Sequence, residues 1–417
     1  MRLLRRIALL ALAVAALAVA QGDFHLKNGD RVVFYGDSIT DQRLYTTFAE
    51  TYVVTRFPKL DVSFVHSGWG GDRVTGGGGG PIDVRLKRDV FAYRPNVMTI
   101  MLGMNDGSYR SFDQGIFDTY ANGYRRIIES VKGTLPGIRI TVIQPSPFDD
   151  VTRDPNVEGG YNAVLVRYGQ WVAELAKKEN LSVADLNTSV VAALRKANAA
   201  DATLAKRIVP DRVHPGPGGH LLMAEALLKS WNAPAVVTSV AIDAANRRVE
   251  KSQNTEVKDL RSEGGALLWT QADSALPMPL DGKDSALMLA VRSSDFMEAI
   301  NSQPLKVTGL KAARYALRID GEIAGTFTRQ ELAEGVNLAS LATPMAAQAA
   351  AVHALTLKHN SIHFARWRQV QVPLEGLTLK TVEPAMDALD RLDAELVVQQ
   401  RAQAQPKPRA YCLSPEQ

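Results

Sequence analysis

Between residues 31 and 231, five short apolar runs alternate with segments of helical period, and this alternation constrains the fold more than any other feature of the chain. The runs are 31–35, 62–66, 97–102, 138–143 and 181–186. Each is rich in valine, isoleucine or phenylalanine and is bounded by glycine, proline or polar residues, the pattern of buried strands. Helices are expected at 44–56, 112–132, 161–178, 189–198 and 218–231. In the second of these, Tyr120, Tyr124, Ile127, Ile128 and Val131 keep one apolar face. Such alternation predicts a five-stranded parallel sheet with helices on both faces, a flavodoxin-like three-layer α/β/α sandwich. Ligands of these sheets sit beyond the C-terminal ends of the strands, so the chemistry is expected in the loops that follow the apolar runs.

Past residue 231 the texture changes. Asn232-Ala233-Pro234 marks a boundary, and a smaller α+β region is expected at 235–417. Residues 235–249 are β-like, and 313–328 alternate on either side of Asp320-Gly321, a strong hairpin signal. Alanine-rich helices are predicted at 344–367 and 382–403. The tail from Gln405 contains proline and is expected to fray.

The first 20 residues have a different character. Arg2, Arg5 and Arg6 precede an apolar run from 7 to 20 that ends Ala18-Val19-Ala20, the layout of a secretory signal peptide. The run is shorter than a membrane span of about 20 residues requires, and no cysteine follows it to carry a lipid. Cleavage after Ala20 takes the three arginines away and lowers the formal charge from +4 to +1, leaving the domain at 21–234. The predicted location is therefore periplasmic or secreted, with no stable membrane span after cleavage. So small a charge, without a basic-aromatic stripe, gives no nucleic-acid footprint. The lone Cys412 excludes an internal disulfide and a cysteine-based zinc site.

Four short blocks follow consecutive elements of the first domain. Gly36-Asp37-Ser38 ends the first strand and puts a hydroxyl at the mouth of the sheet. Such a hydroxyl is a nucleophile only when a neighbouring base removes its proton. Ser67-Gly68-Trp69-Gly70-Gly71-Asp72 follows the second strand, where glycines let backbone N–H groups approach a ligand closely. Gly103-Met104-Asn105-Asp106 follows the third, and Asn105 can aim a side-chain N–H at the same developing charge. Asp211-Arg212-Val213-His214 precedes the last helix. Its three-residue spacing lets the carboxylate return onto the imidazole and leave the other ring nitrogen free as a base. Each block alone is an ordinary turn or cap. In this order they supply nucleophile, base, base-orienter and oxyanion donors, the complete set for acyl transfer.

Taken together the blocks resemble the SGNH (GDSL-type) hydrolase superfamily over about residues 32–231. The resemblance implies a serine esterase with Ser38 as nucleophile, His214 as general base and Asp211 as its orienter. It also implies an oxyanion hole made of the N–H groups of Ser38 and Gly71 and the side chain of Asn105, with no metal or cofactor. One departure is that His66-Ser67 stand where the family usually places an asparagine before the glycines. The α/β-hydrolases share the order Ser…Asp…His but need Gly-x-Ser-x-Gly, which Asp37-Ser38-Ile39 does not provide. The expected substrate is a small-molecule or polysaccharide ester, preferentially a carbohydrate ester, with Trp69 and Tyr109 as candidate stacking residues. The alternatives are a lipase, lysophospholipase or thioesterase-type acylhydrolase, and a non-catalytic carbohydrate-binding envelope protein.

Weaker signals are read against their structural alternatives. Gly76–Gly80 lack the Gly-Lys-Ser/Thr of a phosphate loop and are expected to form a mobile loop near Gly71. His359 and His363 share a helix face without the glutamate of a zinc-protease motif, so a packed helix is expected. His220 is expected to be structural, and Asp149-Asp150 to lie in a solvated loop.

Overall fold

The computed structural model describes residues 23–416, so the signal peptide expected at 1–20 lies outside the described residues. Eleven principal elements build the first half in chain order. They are β1 (Asp30–Gly36), α1 (Leu44–Arg56), β2 (Val62–Gly68), α2 (Ile82–Asp89), β3 (Val97–Met101), α3 (Gln114–Thr134), β4 (Arg139–Ile143), α4 (Tyr161–Glu179), β5 (Ser182–Ala184), α5 (Leu186–Ala200) and α6 (Pro217–Ser230). The five strands are all parallel, in the order β2-β1-β3-β4-β5. This is the flavodoxin-like winding, with its switch point between β1 and β3. Every residue of β3 is buried, as is Val32 to Gly36 of β1, because helices cover both faces of the sheet. On one face α1 packs against α6. On the other, Tyr120 of α3 meets Tyr168 of α4 with ring centres 4.6 Å apart. Helix α2 has no counterpart in the periodicity reading, since only Ile82 and Leu86 supply its buried apolar contact.

The remainder adds β6 (Ser239–Asp243), β7 (Arg248–Gln253), β8 (Thr255–Glu263), β9 (Ala266–Asp273), β10 (Pro304–Thr308), β11 (Arg314–Ile319), β12 (Glu322–Thr328), β13 (Val336–Asn337), α7 (Pro344–Phe364), α8 (Val382–Gln403) and β14 (Arg409–Pro415). These strands form an antiparallel sheet, β8-β9-β14-β11-β12, and a mixed one, β13-β10-β6-β7. The β11–β12 hairpin turns at Asp320 and Gly321, whose φ values of 51° and 86° are those of a two-residue hairpin turn. The tail does not fray. β14 is the central strand of its sheet, because Tyr411 and Leu413 alternate inward and are buried against Trp269 and Leu317.

Helices α7 and α8 pair with each other, and α7 also lies on α1. There His353 stacks on Phe48 at 5.0 Å and bonds Thr51 at 2.8 Å. His359 meets the buried Glu50 at 2.5 Å, and Gln400 of α8 donates to the same carboxylate at 3.0 Å. The C-terminal helices thus form part of the covering of the sheet sandwich, with their polar groups spent on buried partners.

Candidate active site

β1 delivers the chain to Gly36, and Asp37 then caps a single helical turn, Ser38–Asp41, by accepting the Ile39 N–H at 3.0 Å. This turn lies directly on the end of β2. A Cβ built on Gly68 would stand 2.1 Å from the Asp41 nitrogen, so the close approach requires glycine. Ser38 is thereby held at the C-terminal mouth of the sheet, beside the switch point.

The loop before α6 brings the partners. His214 Nε2 lies 2.8 Å from Ser38 Oγ, and His214 Nδ1 lies 2.7 Å from Asp211 Oδ2. A carboxylate only accepts, so Nδ1 carries the proton and Nε2 is left to accept from the serine hydroxyl. The other carboxylate oxygen accepts the N–H groups of Val213 at 3.0 Å and His214 at 2.7 Å. Partial burial opposes ionisation of Asp211, but the hydrogen bonds from His214 and Val213 outweigh it and hold the carboxyl below the usual range.

Opposite this line, Gly71 adopts φ 77° in the turn after β2. The N–H groups of Ser38 and Gly71 make no hydrogen bond among the described residues. Asn105 donates one Nδ2 hydrogen to the Asp72 carbonyl at 3.0 Å and accepts the Tyr109 hydroxyl at 2.9 Å. These two bonds fix the orientation of the amide and leave its second N–H available. Burial raises the carboxyls of Asp37 and Asp106 to about 7, although each accepts a backbone N–H, from Ile39 and Val74 respectively. A preformed cluster of donors facing a base-activated hydroxyl can stabilise the oxyanion of an acyl transfer.

The structure joins Ser38, His214 and Asp211 in one hydrogen-bonded line, ties Asn105 to the Asp72 carbonyl beside Gly71, and places Tyr109 on Asn105 with 40% of its surface exposed. Trp69 does not join them as a stacking surface. It is 7% exposed, with the Arg368 guanidinium 3.0 Å over its ring and Arg85 and Arg88 at 5.3 and 5.4 Å. Nor are the five glycines an unpacked loop. They form a small ribbon (Gly76–Gly77 with Gly80–Pro81) folded onto Trp69, where a Cβ on Gly79 would meet the indole at 2.6 Å.

Two further groups escaped the sequence reading. Asp149 is fully buried instead of solvated. Its carboxylate accepts from Val151, Thr152 and Arg153, and Arg153 also reaches the carbonyls of Val209 and Pro210 at 3.1 and 2.7 Å. The Asp149 N–H bonds the Arg212 carbonyl at 2.8 Å, so this cluster braces the Asp211–His214 loop. Asp150 accepts the Asn162 N–H at 2.9 Å. The only sequence signal was the four-residue spacing of Asp149 and Arg153. His220 and His363 are packed: His220 is buried between Tyr45 N–H and Gln42, and His363 stacks on Trp367 at 6.1 Å.

The comparisons give the class of this domain, an ester hydrolase. Residues 34–222 match the model of the GDSL-like lipase/acylhydrolase family, and this domain is a member of the SGNH (GDSL-type) hydrolase superfamily, a carboxylic ester hydrolase. An acetylxylan esterase of Geobacillus stearothermophilus is 24% identical over 224 residues, 48% of this chain and 94% of that relative. A gut microbial diltiazem-metabolizing enzyme superposes over 94% of this chain and 98% of its own, with a TM-score of 0.82 and 25% identity. The likeness to that structure extends through both the sandwich and the C-terminal region.

Proposed function

We propose that the protein is an exported serine ester hydrolase that removes acyl groups from carbohydrate esters through an acyl-enzyme on Ser38. The observation that carries this reading is the hydrogen-bonded line from Ser38 through His214 to Asp211. Ser38 Oγ attacks the ester carbonyl carbon while its proton passes to His214 Nε2, and the Ser38, Gly71 and Asn105 N–H groups receive the developing oxyanion. The tetrahedral intermediate collapses, the C–O bond to the alcohol breaks, and His214 returns the proton to the leaving alkoxide. Water then attacks the acyl-serine and loses its proton to the same nitrogen. Release of the acid restores Ser38 with its proton.

Two observations favour a carbohydrate ester. One is the acetylxylan esterase relative. The other is the openness of the site, where the His214 and Asp211 side chains are 35% and 58% exposed, which suits a polymer approaching from solvent. Export rests on the charged, apolar and small-x-small segments of residues 1–20. Among the described residues no helix is long and apolar enough to cross a membrane. A panel of acetylated glycans, lysolipids and acyl thioesters, scored by released acid, tests the substrate class. Turnover of a lysolipid or thioester well above every glycan contradicts it. Export is tested by sequencing the N-terminus of the mature protein from the producing cell, which should begin at Gln21.

A further inference from the structure

Beyond α7 the chain continues as a π-helical segment, Ala365–Gln371, a wide winding frequent at functional sites. From it two adjacent side chains, Trp367 and Arg368, reach both halves of the proposed oxyanion hole from outside the sandwich. Arg368 covers the Trp69 ring, and its Nη2 lies 3.9 Å from Asp41 Oδ2. That same oxygen accepts the Gly70 N–H at 3.1 Å, one residue before Gly71. Asp41 is also the last residue of the turn that begins at Ser38.

Trp367 takes the other route. Its Nε1–H donates to Asp89 Oδ1 at 2.6 Å. Asp89 pairs with Arg85, whose Nε donates to Asp72 Oδ2 at 2.7 Å. The Asp72 carbonyl in turn holds the Asn105 amide at 3.0 Å. Arg85, Asp89 and Asp72 have no solvent exposure and Trp367 only 1%, so each bond of the line acts in a low dielectric where its direction is strongly enforced.

We infer that Trp367 and Arg368 are positioning residues for the oxyanion hole. The C-terminal helical pair completes the site by holding the Gly70–Gly71 turn through Asp41, and Asn105 through Asp89, Arg85 and Asp72. The inference rests on the reading of Ser38, Gly71 and Asn105 given above. Donors of this kind act on the transition state more than on bound substrate, so their displacement lowers kcat and leaves KM nearly unchanged.

The test uses the full chain and p-nitrophenyl acetate, with Trp367→Phe, Arg368→Gln, Arg368→Lys and Asp41→Asn. His359→Gln serves as a control, because it disturbs the same helix pair at its contact with Glu50 and leaves the bonds of Trp367 to Asp89 and of Arg368 to Asp41 in place. The expected result is a fall in kcat of about tenfold or more in Trp367→Phe and Arg368→Gln, with KM within about twofold of wild type. The rate of inactivation by a fluorophosphonate falls in parallel, and the pH profile of kcat/KM keeps its midpoint, since His214 and Asp211 are untouched. Arg368→Lys recovers part of the loss, and Asp41→Asn reproduces it if Arg368→Gln does not fold. Wild-type kcat in the soluble Trp367 and Arg368 variants overturns the inference, as does a loss no larger than that of His359→Gln at equal melting temperature. Ser38→Ala separates the two levels. An inactive Ser38→Ala beside fully active Trp367 and Arg368 variants overturns this inference alone, whereas an active Ser38→Ala overturns the reading beneath it.

Discussion

His214 Nε2 stands 2.8 Å from Ser38 Oγ across 176 residues of chain, a contact that exists only once the sandwich has closed. β1 carries one partner to the sheet mouth, and the loop before α6 carries the other. Asp211 then fixes the imidazole by accepting from its Nδ1 while two backbone N–H groups hold the carboxylate. A base aimed at a hydroxyl, with its tautomer set by a carboxylate, is the arrangement a serine nucleophile requires.

Asp211→Asn tests the tautomer argument. The amide oxygen can still accept the Val213 and His214 backbone N–H groups, but the NH2 then faces Nδ1 and favours the proton on Nε2, where it blocks the base. We expect kcat to fall by about 10⁴-fold by analogy with serine proteases, with little change in melting temperature. Retention of more than a tenth of wild-type kcat on p-nitrophenyl acetate contradicts the role.

Asn105→Ala removes one proposed oxyanion donor. A loss of about 10²–10³ in kcat is expected, equivalent to about 2.7–4 kcal/mol of barrier. A change confined to KM, measured by steady-state kinetics on the same ester, contradicts the assignment.

Arg153→Met removes the cation that ties Asp149 to the Val209 and Pro210 carbonyls. Asp149 keeps its bonds to Val151 and Thr152 but loses its charge partner while remaining buried. A loss of about 1–3 kcal/mol in urea unfolding is expected, together with a lower kcat from a looser Asp211–His214 loop. Stability and kcat both equal to wild type would remove the brace from the account.

The His359–Glu50 contact makes stability depend on pH. Burial disfavours the imidazolium, but Glu50 and Asp393 outweigh it and push the His359 pKa up to about 10. The unfolded imidazole titrates near 6.5, so the folded state binds the extra proton between these values. Its contribution is complete below about pH 6.5 and is lost as pH rises toward 10, on the order of a few kcal/mol in all. Melting temperature followed from pH 6 to 10 should fall in wild type and fall less in His359→Gln. Parallel curves for the two proteins contradict the linkage.

The sandwich was legible because its signals are local. Buried strands such as Val97–Met101 are continuous apolar runs, the α3 face repeats at helical period, and the chemical blocks sit at fixed places after strands. The groups that escaped are defined by distant partners. Trp69 reads as a stacking face from its sequence neighbours alone, whereas Arg368, nearly 300 residues later, covers it. Asp149 reads as solvated because the four-residue spacing to Arg153 is a weak signal and the 209–212 carbonyls packed around the pair carry none. β14 was obscured by Pro406 and Pro408, although Tyr411 and Leu413 already alternated, and its place depends on pairing with β9 and β11.

The central claim is that Ser38 is an activated nucleophile. Intact-mass analysis after treatment with a fluorophosphonate tests it most directly, because only a serine deprotonated by its neighbours reacts. The account predicts one adduct per chain, mapped to Ser38 by peptide sequencing and absent from folded Ser38→Ala, which also loses esterase activity. An adduct on another residue, or none on folded and active wild-type protein, would contradict it.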